Sequence, residues 1–124
     1  MPTVGSKPPC VNTYVIQGST YKKAFVIKDD EGVLVSLTGS SFAGQIRRTK
    51  ASTTIIATFA FSINLSLSRV EYSLTAVQTA AMIAGSTDDS VDSQYVYDIE
   101  WIKSDGSIQR LFGGVLTLSP EVTR

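Results

Sequence analysis

The sequence predicts an all-β protein, an antiparallel β-sandwich of about seven to eight strands with one short helix near residues 75–84. Apolar and polar residues alternate with period two in short runs, which is typical of half-buried strands. Turn residues divide these runs at intervals of roughly 8–12 residues. No alternation of strands with helices is present, so a parallel sheet is disfavoured. This pattern is typical of immunoglobulin-like and jelly-roll-like sandwiches.

The chain is expected to form one domain preceded by a short arm. It has 124 residues, of which 43% are hydrophobic, enough for the core of a single domain. Residues 1–10 include Pro2, Pro8 and Pro9 and predict an extended arm, so residues 11–124 are expected to form the sandwich. Neither a signal peptide nor a membrane-spanning segment is predicted, because no sufficiently long apolar run occurs.

The first half of the chain predicts a succession of short strands separated by turns. The expected strands are Val11–Gln17, Tyr21–Lys28, Val33–Leu37, Phe42–Arg48, Thr53–Phe61 and Arg69–Leu74, with Ile63–Leu67 as a continuation after a turn. Asp29–Gly32 and Thr38–Ser40 have the composition of turns. In the last of these strands, Val70, Tyr72 and Leu74 share one face.

One alanine-rich segment, Thr75–Gly85, predicts the single helix, about two to three turns long. Thr75 and Gln78 match a capping box, and Gly85 matches the glycine that often follows a helix. The residues expected on one side of the helix are Val77, Ala80, Ala81 and Ala84. We expect the helix to bridge two strands across one end of the fold.

The last two strands are predicted to form a β-hairpin. Ser93–Lys103 and Ser107–Leu118 flank Asp105-Gly106, a dipeptide typical of two-residue turns. The pairs expected from such a turn are Trp101 with Arg110, Ile99 with Phe112, and Tyr97 with Gly114, whereas a longer turn would shift them. The residues expected to face the core are Tyr95, Tyr97, Ile99 and Trp101. Gly113-Gly114 predicts a bulge or the close approach of another backbone segment.

The composition argues against catalysis and metal binding. There is no histidine and Cys10 is the only cysteine, so the sequence lacks the usual general base, an intrachain disulfide and a thiolate zinc site. No glycine-rich nucleotide-binding motif is present. The 11 basic and 11 acidic residues give a net charge of zero, which disfavours binding to nucleic acid or to anionic membranes. We therefore expect no enzyme activity, no cofactor and no bound metal.

Two groups of acidic residues are the remaining candidates for chemistry. Asp88, Asp89 and Asp92 crowd one loop, for which solvation is the preferred interpretation and a Ca²⁺ site the alternative, since the spacing is not that of an EF-hand. Asp98 and Glu100 lie two residues apart on one predicted strand and project from the same face. A pair of carboxylates can hydrolyse glycosides, but a face that is solvated or covered by a partner fits the surrounding sequence better.

Basic residues complete a candidate interface. Arg47, Arg48 and Lys50 cluster at the end of one strand, where a salt bridge to an acidic patch on another subunit is the alternative to a solvated strand end. The residues expected to make contacts between subunits are Pro8, Pro9, Arg47, Arg48, Asp98, Glu100 and Arg110. Mixed apolar and charged residues of this kind suit the rim of an interface.

Several short segments occur in an order that points to a known family. They are Leu37-Thr38-Gly39, Tyr95-Val96-Tyr97-Asp98-Ile99-Glu100-Trp101, Asp105-Gly106 and Ser119-Pro120-Glu121-Val122-Thr123-Arg124. The chain resembles small virion proteins of tailed bacteriophages and, over about residues 12–124, is similar to the N-terminal, baseplate-docking domain of BppU-type upper-baseplate proteins. The resemblance implies a β-sandwich that assembles in the host bacterial cytoplasm into a symmetric virion.

The expected function is that of a non-enzymatic structural protein of the virion. The resemblance favours a tail, baseplate or fibre-adaptor component, whose partners are other virion proteins and further copies of itself. A capsid decoration, or cement, protein is the first alternative. A carbohydrate- or receptor-binding module is the second, because exposed aromatic rings can stack on sugars. The candidate rings are Tyr14, Tyr21, Tyr72, Tyr95, Tyr97 and Trp101.

Overall fold

A computed structural model describes residues 10–82 and 93–119 of the chain. The elements are β1 (Thr13–Ile16), β2 (Tyr21–Val26), β3 (Ser41–Arg47), β4 (Ala57–Thr58), β5 (Ala60–Asn64), β6 (Arg69–Leu74), α1 (Ala76–Ala81), β7 (Ser93–Ile102) and β8 (Ile108–Ser119). The predicted all-β sandwich is confirmed. Pro8, Pro9, Gly85 and the acidic residues Asp88, Asp89 and Asp92 lie outside the described residues.

The strands form two sheets that pack face to face. Sheet I has five strands in the order β1-β8-β7-β3-β4, and sheet II has three in the order β2-β6-β5. In the immunoglobulin fold, strands B, E and D share one sheet and strands G, F and C share the other. Here β2, β6 and β5 correspond to strands B, E and D, and β8, β7 and β3 correspond to strands G, F and C. The sandwich is therefore immunoglobulin-like.

One strand pair departs from the predicted antiparallel arrangement. β1 runs parallel to β8, with Thr13 paired to Leu116 and Ile16 to Ser119. Two strands that follow each other in the chain can pair in parallel only if a crossover segment connects them. β1 and β8 are the first and last strands of the domain, so the strands between them provide that connection and no separate crossover segment is needed.

Aromatic rings from both sheets meet in the core. Phe25 on sheet II lies edge-to-face against Phe112 and Phe42 on sheet I, with ring centroids 5.4 and 5.8 Å apart. Tyr72 on sheet II contacts Phe112 as well, at 5.9 Å. Antibody domains join their sheets at the core by a disulfide, whereas the single cysteine of this chain, Cys10, is exposed. Ring contacts join the buried aliphatic side chains in packing the two sheets together, each ring pair contributing about 0.5–1.5 kcal/mol beyond the burial itself.

The predicted strand Thr53–Phe61 is wrong as a continuous element. Only Ala57–Thr58 and Ala60–Asn64 form strands, the first in sheet I and the second in sheet II. The chain changes sheets at Phe59, which is buried and donates its N–H to the carbonyl of Gly44 at 3.0 Å. A single strand cannot belong to both layers of a sandwich, so it breaks where the chain crosses the core.

Two further strand predictions fail beside this one. Val33–Leu37 is a loop and not a strand. It has an isolated bridge between Lys28 and Leu34 and a hydrogen bond from the Val35 N–H to the Ile27 carbonyl, and it buries Leu37 in the core. The predicted continuation Ile63–Leu67 ends at Asn64, because the Asn64 side chain accepts the Leu67 N–H at 3.2 Å and closes a turn. Local side-chain bonds of this kind compete with strand pairing.

The helix begins as predicted but buries a different side. Thr75 and Gln78 form the capping box, with each side chain bonded to the other residue's backbone N–H. Val77 is 79% exposed, so the predicted apolar side does not pack on the domain. Thr79 is buried instead, and its hydroxyl donates to the Ser19 carbonyl at 2.8 Å and accepts from the Gly18 N–H at 3.0 Å. Hydrogen bonds, not an apolar stripe, thus dock the helix on the β1–β2 turn.

The hairpin has one more turn residue than predicted and a compensating bulge. Lys103 N–H donates to the Ser107 carbonyl and Gly106 adopts φ +88°, which makes a three-residue loop of 104–106. Trp101 therefore pairs with Gln109, and the predicted pairing with Arg110 is wrong. The predicted pairs Ile99 with Phe112 and Tyr97 with Gly114 are confirmed. Leu111 is a buried bulge residue without a partner on β7, between the pair Glu100–Arg110 and the pair Ile99–Phe112. This extra residue on β8 cancels the one-residue shift that the longer loop introduces.

The diglycine of β8 marks a close approach, as predicted, while the bulge lies just before it. A Cβ on Gly114 would lie 2.5 Å from the Val11 carbonyl oxygen, and one on Gly113 would lie 2.6 Å from the Tyr97 carbonyl oxygen. The Val11 N–H donates to the Gly113 carbonyl at 2.7 Å. The missing side chains let the segment before β1 lie against β8.

Candidate interaction site

The strongest candidate site is the surface of sheet I that faces away from the core, here called the outer face of sheet I. Tyr95, Tyr97, Ile99 and Trp101 are buried, as predicted. Because side chains alternate along a strand, Val96, Asp98 and Glu100 project from β7 to the outer face. All three are half-buried.

The strand register arranges this face in rows. Asp98 lies between Gln45 on β3 and Gly113 on β8. The rows on either side of it are Arg47–Val96–Val115 and Ala43–Glu100–Arg110. Together with Lys50 and Cys10, these residues line an open depression of about 750 Å³. Four of the predicted contact residues, Arg47, Asp98, Glu100 and Arg110, are therefore brought together.

Gly113 forms the floor of the depression. It is buried, and a Cβ there would lie 3.0 Å from a guanidinium nitrogen of Arg110 and 3.1 Å from the Cβ of Asp98. The Arg110 guanidinium therefore lies across the glycine, toward the middle strand. A larger residue at this position would displace it.

Arg47 is held in a fixed orientation at one side of the depression. Its guanidinium donates to Gln45 Oε1 and to the Ser52 carbonyl, both at 2.8 Å. These neutral acceptors leave its positive charge uncompensated by any carboxylate among the described residues.

The acidic residues of the outer face are likewise without ion-pair partners in the part of the chain that the structure describes. In the described part of the chain, no basic nitrogen lies within 4.0 Å of a carboxylate oxygen of Asp98 or Glu100. Glu100 and Arg110 are register neighbours, but their charged groups do not meet. The face thus combines charges of both signs that are unpaired within residues 10–82 and 93–119.

Arg48 does not belong to this site. Its guanidinium carbon lies 4.8 Å from the ring centroid of Tyr95, and it donates to the Gln94 carbonyl at 3.4 Å. Burial raises the pKa of the Tyr95 phenol, and the nearby Arg48 charge partly offsets that rise. The structure therefore separates Arg48 from Arg47, its neighbour in sequence.

The site also has an apolar edge that the sequence reasoning did not identify. Tyr14 and Ile16 on β1 are 73% and 60% exposed and pair with Thr117 and Ser119 on β8. Val15 between them is buried, so both side chains lie on the outer face. The alternation of residues 13–16 in the sequence already places Tyr14 and Ile16 on one face of a strand. Only the pairing of β1 with β8 shows that this face continues the charged rows.

Most rings considered for sugar stacking are in the core. Tyr21, Tyr72, Tyr95, Tyr97 and Trp101 are all buried, and of the six rings only Tyr14 is exposed. Tyr97 donates its hydroxyl to the Val11 carbonyl at 2.6 Å, and Trp101 donates to the Ser40 hydroxyl at 3.0 Å. The hydrogen bonds of these two rings therefore hold the segments that precede β1 and β3 against β7.

Among the described residues there is neither a metal-binding cluster nor a membrane-spanning helix. Within 10–82 and 93–119, no three His, Cys, Asp or Glu side chains lie together in a way that could hold a metal ion. No helix in this part of the chain is long and apolar enough to cross a membrane.

Comparisons with known proteins give distant structural likenesses alone. No protein-family model matches the chain, and no curated protein matches it. Among solved structures, a murine CRIg structure aligns over 90% of this chain and 92% of its own, with 12% sequence identity and a TM-score of 0.37.

Proposed function

We propose that this chain is a non-enzymatic structural protein of a tailed bacteriophage virion and that it joins subunits in the tail, baseplate or fibre adaptor. The order of segments shared with BppU-type domains supports this function. The outer face of sheet I is the observation that carries it, because its residues suit a contact with another protein.

The composition of this face favours a protein partner. Val96, Val115 and the exposed Tyr14 provide apolar surface beside the charged rows. Protein interfaces typically combine an apolar centre with a polar and charged rim. A sugar would require stacking rings, and Tyr14 is the single exposed ring of the six candidates. A nucleic acid would repel the carboxylates of Asp98 and Glu100, which lie in the middle of the site.

Immunogold labelling of intact particles tests the proposal. Particles of the phage that encodes this chain would be washed in high salt and labelled with antibody against the purified chain. We expect gold at the tail tip or baseplate. Gold over the head would assign the chain to capsid decoration and contradict the tail position. Washed particles that carry neither gold nor the chain's peptides by mass spectrometry would overturn the virion role.

A second measurement tests which surface is used. In phage lacking the gene, a supplied chain with Asp98→Lys and Glu100→Lys should be incorporated at least tenfold less than the natural chain. The matched control is Lys22→Glu on sheet II, which should be incorporated normally. Equal incorporation of both variants would show that the outer face of sheet I is not the contact.

A further inference from the structure

We infer that the outer face of sheet I binds a second copy of the same chain about a twofold axis that lies between β7 and β8, parallel to the strands. The inference deepens the proposed function, on which it rests, by naming the first partner. It follows from the charges of the face, from its register and from its size.

The charges of the face are self-complementary. Carboxylates occupy the middle strand at Asp98 and Glu100, and basic groups flank them at Arg110 on one side and at Arg47 and Lys50 on the other. In a twofold contact, each residue meets on the partner the residue that meets it in return. A surface with separated charges of both signs can therefore neutralise itself, whereas a partner of one sign would match only part of it. Net zero charge adds no repulsion between copies.

The register specifies which residues meet. Rotation about an axis between β7 and β8 lays β7 of each copy over β8 of the other and keeps each row at its own height. Since Glu100 pairs with Arg110 in one row and Val96 with Val115 in another, each of these residues then faces its row partner in the other copy. Glu100 meets Arg110, Val96 meets Val115, and Asp98 lies over Gly113, across which the Arg110 guanidinium of that copy lies. The strands of the two copies stay aligned, as in ordinary sheet packing.

The same rotation accounts for the exposed apolar edge. β1 and β3 are the strands next to β8 and β7, so β1 of each copy lies over β3 of the other. Tyr14 is in the row of Thr117 and Gln94, just beyond the row that contains Arg47. Its ring is thereby placed over the basic turn 47–50 of the second copy. A cation over an aromatic face is a favourable contact in this setting.

The size of the face predicts a weak dimer. Three strands that contribute roughly seven residues each and β1 with four residues, about 4.8 Å apart with a rise of about 3.3 Å per residue, give a flat area of about 400 Å² per copy. Stable interfaces usually bury about 800 Å² per partner. The dimer is therefore expected to form reversibly, with the repeated contacts of a particle supplying the rest of the stability.

Charge-segregated variants test the inference with the purified full-length chain. One variant carries Asp98→Lys and Glu100→Lys, and the other carries Lys50→Glu and Arg110→Glu. Sedimentation velocity over about 10–500 µM is suited to micromolar association. We expect the natural chain to dimerise with rising concentration, each variant alone to stay monomeric, and an equimolar mixture to form a one-to-one heterodimer. Lys22→Glu on sheet II is the control and should dimerise like the natural chain.

Several outcomes would overturn the inference. They are a natural chain that remains monomeric over the whole range, variants that dimerise alone as well as the natural chain does, and a mixture that forms no heterodimer. A natural chain that dimerises only after removal of residues 2–9 would mean that its own N-terminal segment covers the face, which also overturns it. Thermal melting checks that the variants are folded. If a charge variant lost its melting transition, Tyr14→Ser would replace it, and an undiminished dimer in that variant would count against the inference.

The failure of this inference is distinguishable from failure of the proposed function. A chain that is present in washed particles but monomeric in solution contradicts the twofold contact alone. A chain that dimerises as described but is absent from particles contradicts the virion role alone.

Discussion

The outer faces of the two sheets differ in whether their acidic side chains form ion pairs within the described residues. On sheet II, Glu71 lies 3.6 Å from the Lys22 amine and 3.8 Å from the Arg69 guanidinium, so the acidic group has partners within its own sheet. On sheet I, Asp98 and Glu100 have none among the described residues. The two faces belong to one small domain with the same core. The difference supports the proposed contact, because a face whose charges lack partners within the described residues can form ion pairs with another protein.

Their shapes differ in the same sense. The middle strands of both faces carry half-buried residues, Glu71 and Ser73 on sheet II and Val96, Asp98 and Glu100 on sheet I, so the difference in shape lies at one position of β8. Gly113 creates the depression on sheet I by removing a side chain from the middle of β8. A partner can therefore approach the backbone of sheet I more closely than that of sheet II.

Filling the floor of the depression should produce the largest loss of stability. Gly113→Ala places a Cβ 2.6 Å from the Tyr97 carbonyl oxygen, and the backbone of β7 and β8 must separate. We expect the free energy of unfolding to fall by about 2–3 kcal/mol, seen as a lower midpoint in thermal melting. Ser73→Ala, on the outer face of sheet II, is the matched control and should change it little. Equal midpoints for both variants would show that the floor of sheet I is not tightly built.

Alkaline pH should destabilise the core that both faces share. Burial raises the pKa of Tyr72 and of Tyr97 above the ordinary phenol value of 10.0, with Tyr21 adding to both shifts. A raised pKa means that the folded state holds the phenol protons more tightly than the unfolded state does. The resulting stability is fully present below pH 10.0, the ordinary value, and is lost as the pH rises toward the folded-state pKa values.

Urea unfolding at a series of pH values measures this effect. The midpoint should decline steadily above about pH 10, and the decline should be smaller in a Tyr97→Phe variant. That variant also loses the hydrogen bond to the Val11 carbonyl, so only the slope with pH, not the stability itself, is compared. A midpoint that is flat up to pH 11 would contradict the shifts.

Removing the hydroxyl that joins the helix to the β1–β2 turn should have a moderate effect. Thr79→Val keeps the shape of the buried side chain but leaves the Gly18 N–H without its acceptor. We expect a loss of about 1–2 kcal/mol in urea unfolding. Val77→Thr, on the exposed side of the same helix, is the control. A larger loss from Val77→Thr than from Thr79→Val would mean that the helix docks by the apolar side instead.

Neutralising one acid on each face should give the smallest effects and the sharpest contrast between them. Glu71→Gln removes the acceptor of two ion pairs and should cost about 0.5–1 kcal/mol at low salt, with the cost disappearing at high salt. Glu100→Gln removes no ion pair within the described residues and should cost nothing measurable. Both are compared by urea unfolding at low micromolar concentration, at which the proposed weak dimer would be dissociated. A larger cost for Glu100→Gln would mean that its carboxylate has a partner within the chain.

The local features of the sequence predicted much of the fold. β6 has the predicted bounds, the capping box at Thr75 forms, and the alternation in β7 separates core residues from Asp98 and Glu100 correctly. Each of these depends on contacts between residues close in sequence or on the period of a strand. Such features can therefore be predicted from the sequence without knowing what the chain packs against.

The errors in the prediction share a different origin. The strand Thr53–Phe61 looked continuous because its residues all favour strands, but the two layers of the sandwich require it to break at Phe59. The helix face was predicted from apolar spacing, whereas the neighbouring turn at Gly18 and Ser19 selected Thr79. In both, the deciding partner is distant in the chain or in the other layer.

The sequence by itself determined the all-β class, the hairpin and the face on which Asp98 and Glu100 lie, because side-chain period and turn composition are local properties. The tertiary structure alone decided that β1 pairs with β8, that Arg47 joins the carboxylates while Arg48 does not, and that these charges have no ion-pair partners in the described residues. The loop and the Leu111 bulge show why, since each shifts the register by one residue and their effects cancel. Register across a sheet is set by the sum of such irregularities, which only the assembled fold reveals.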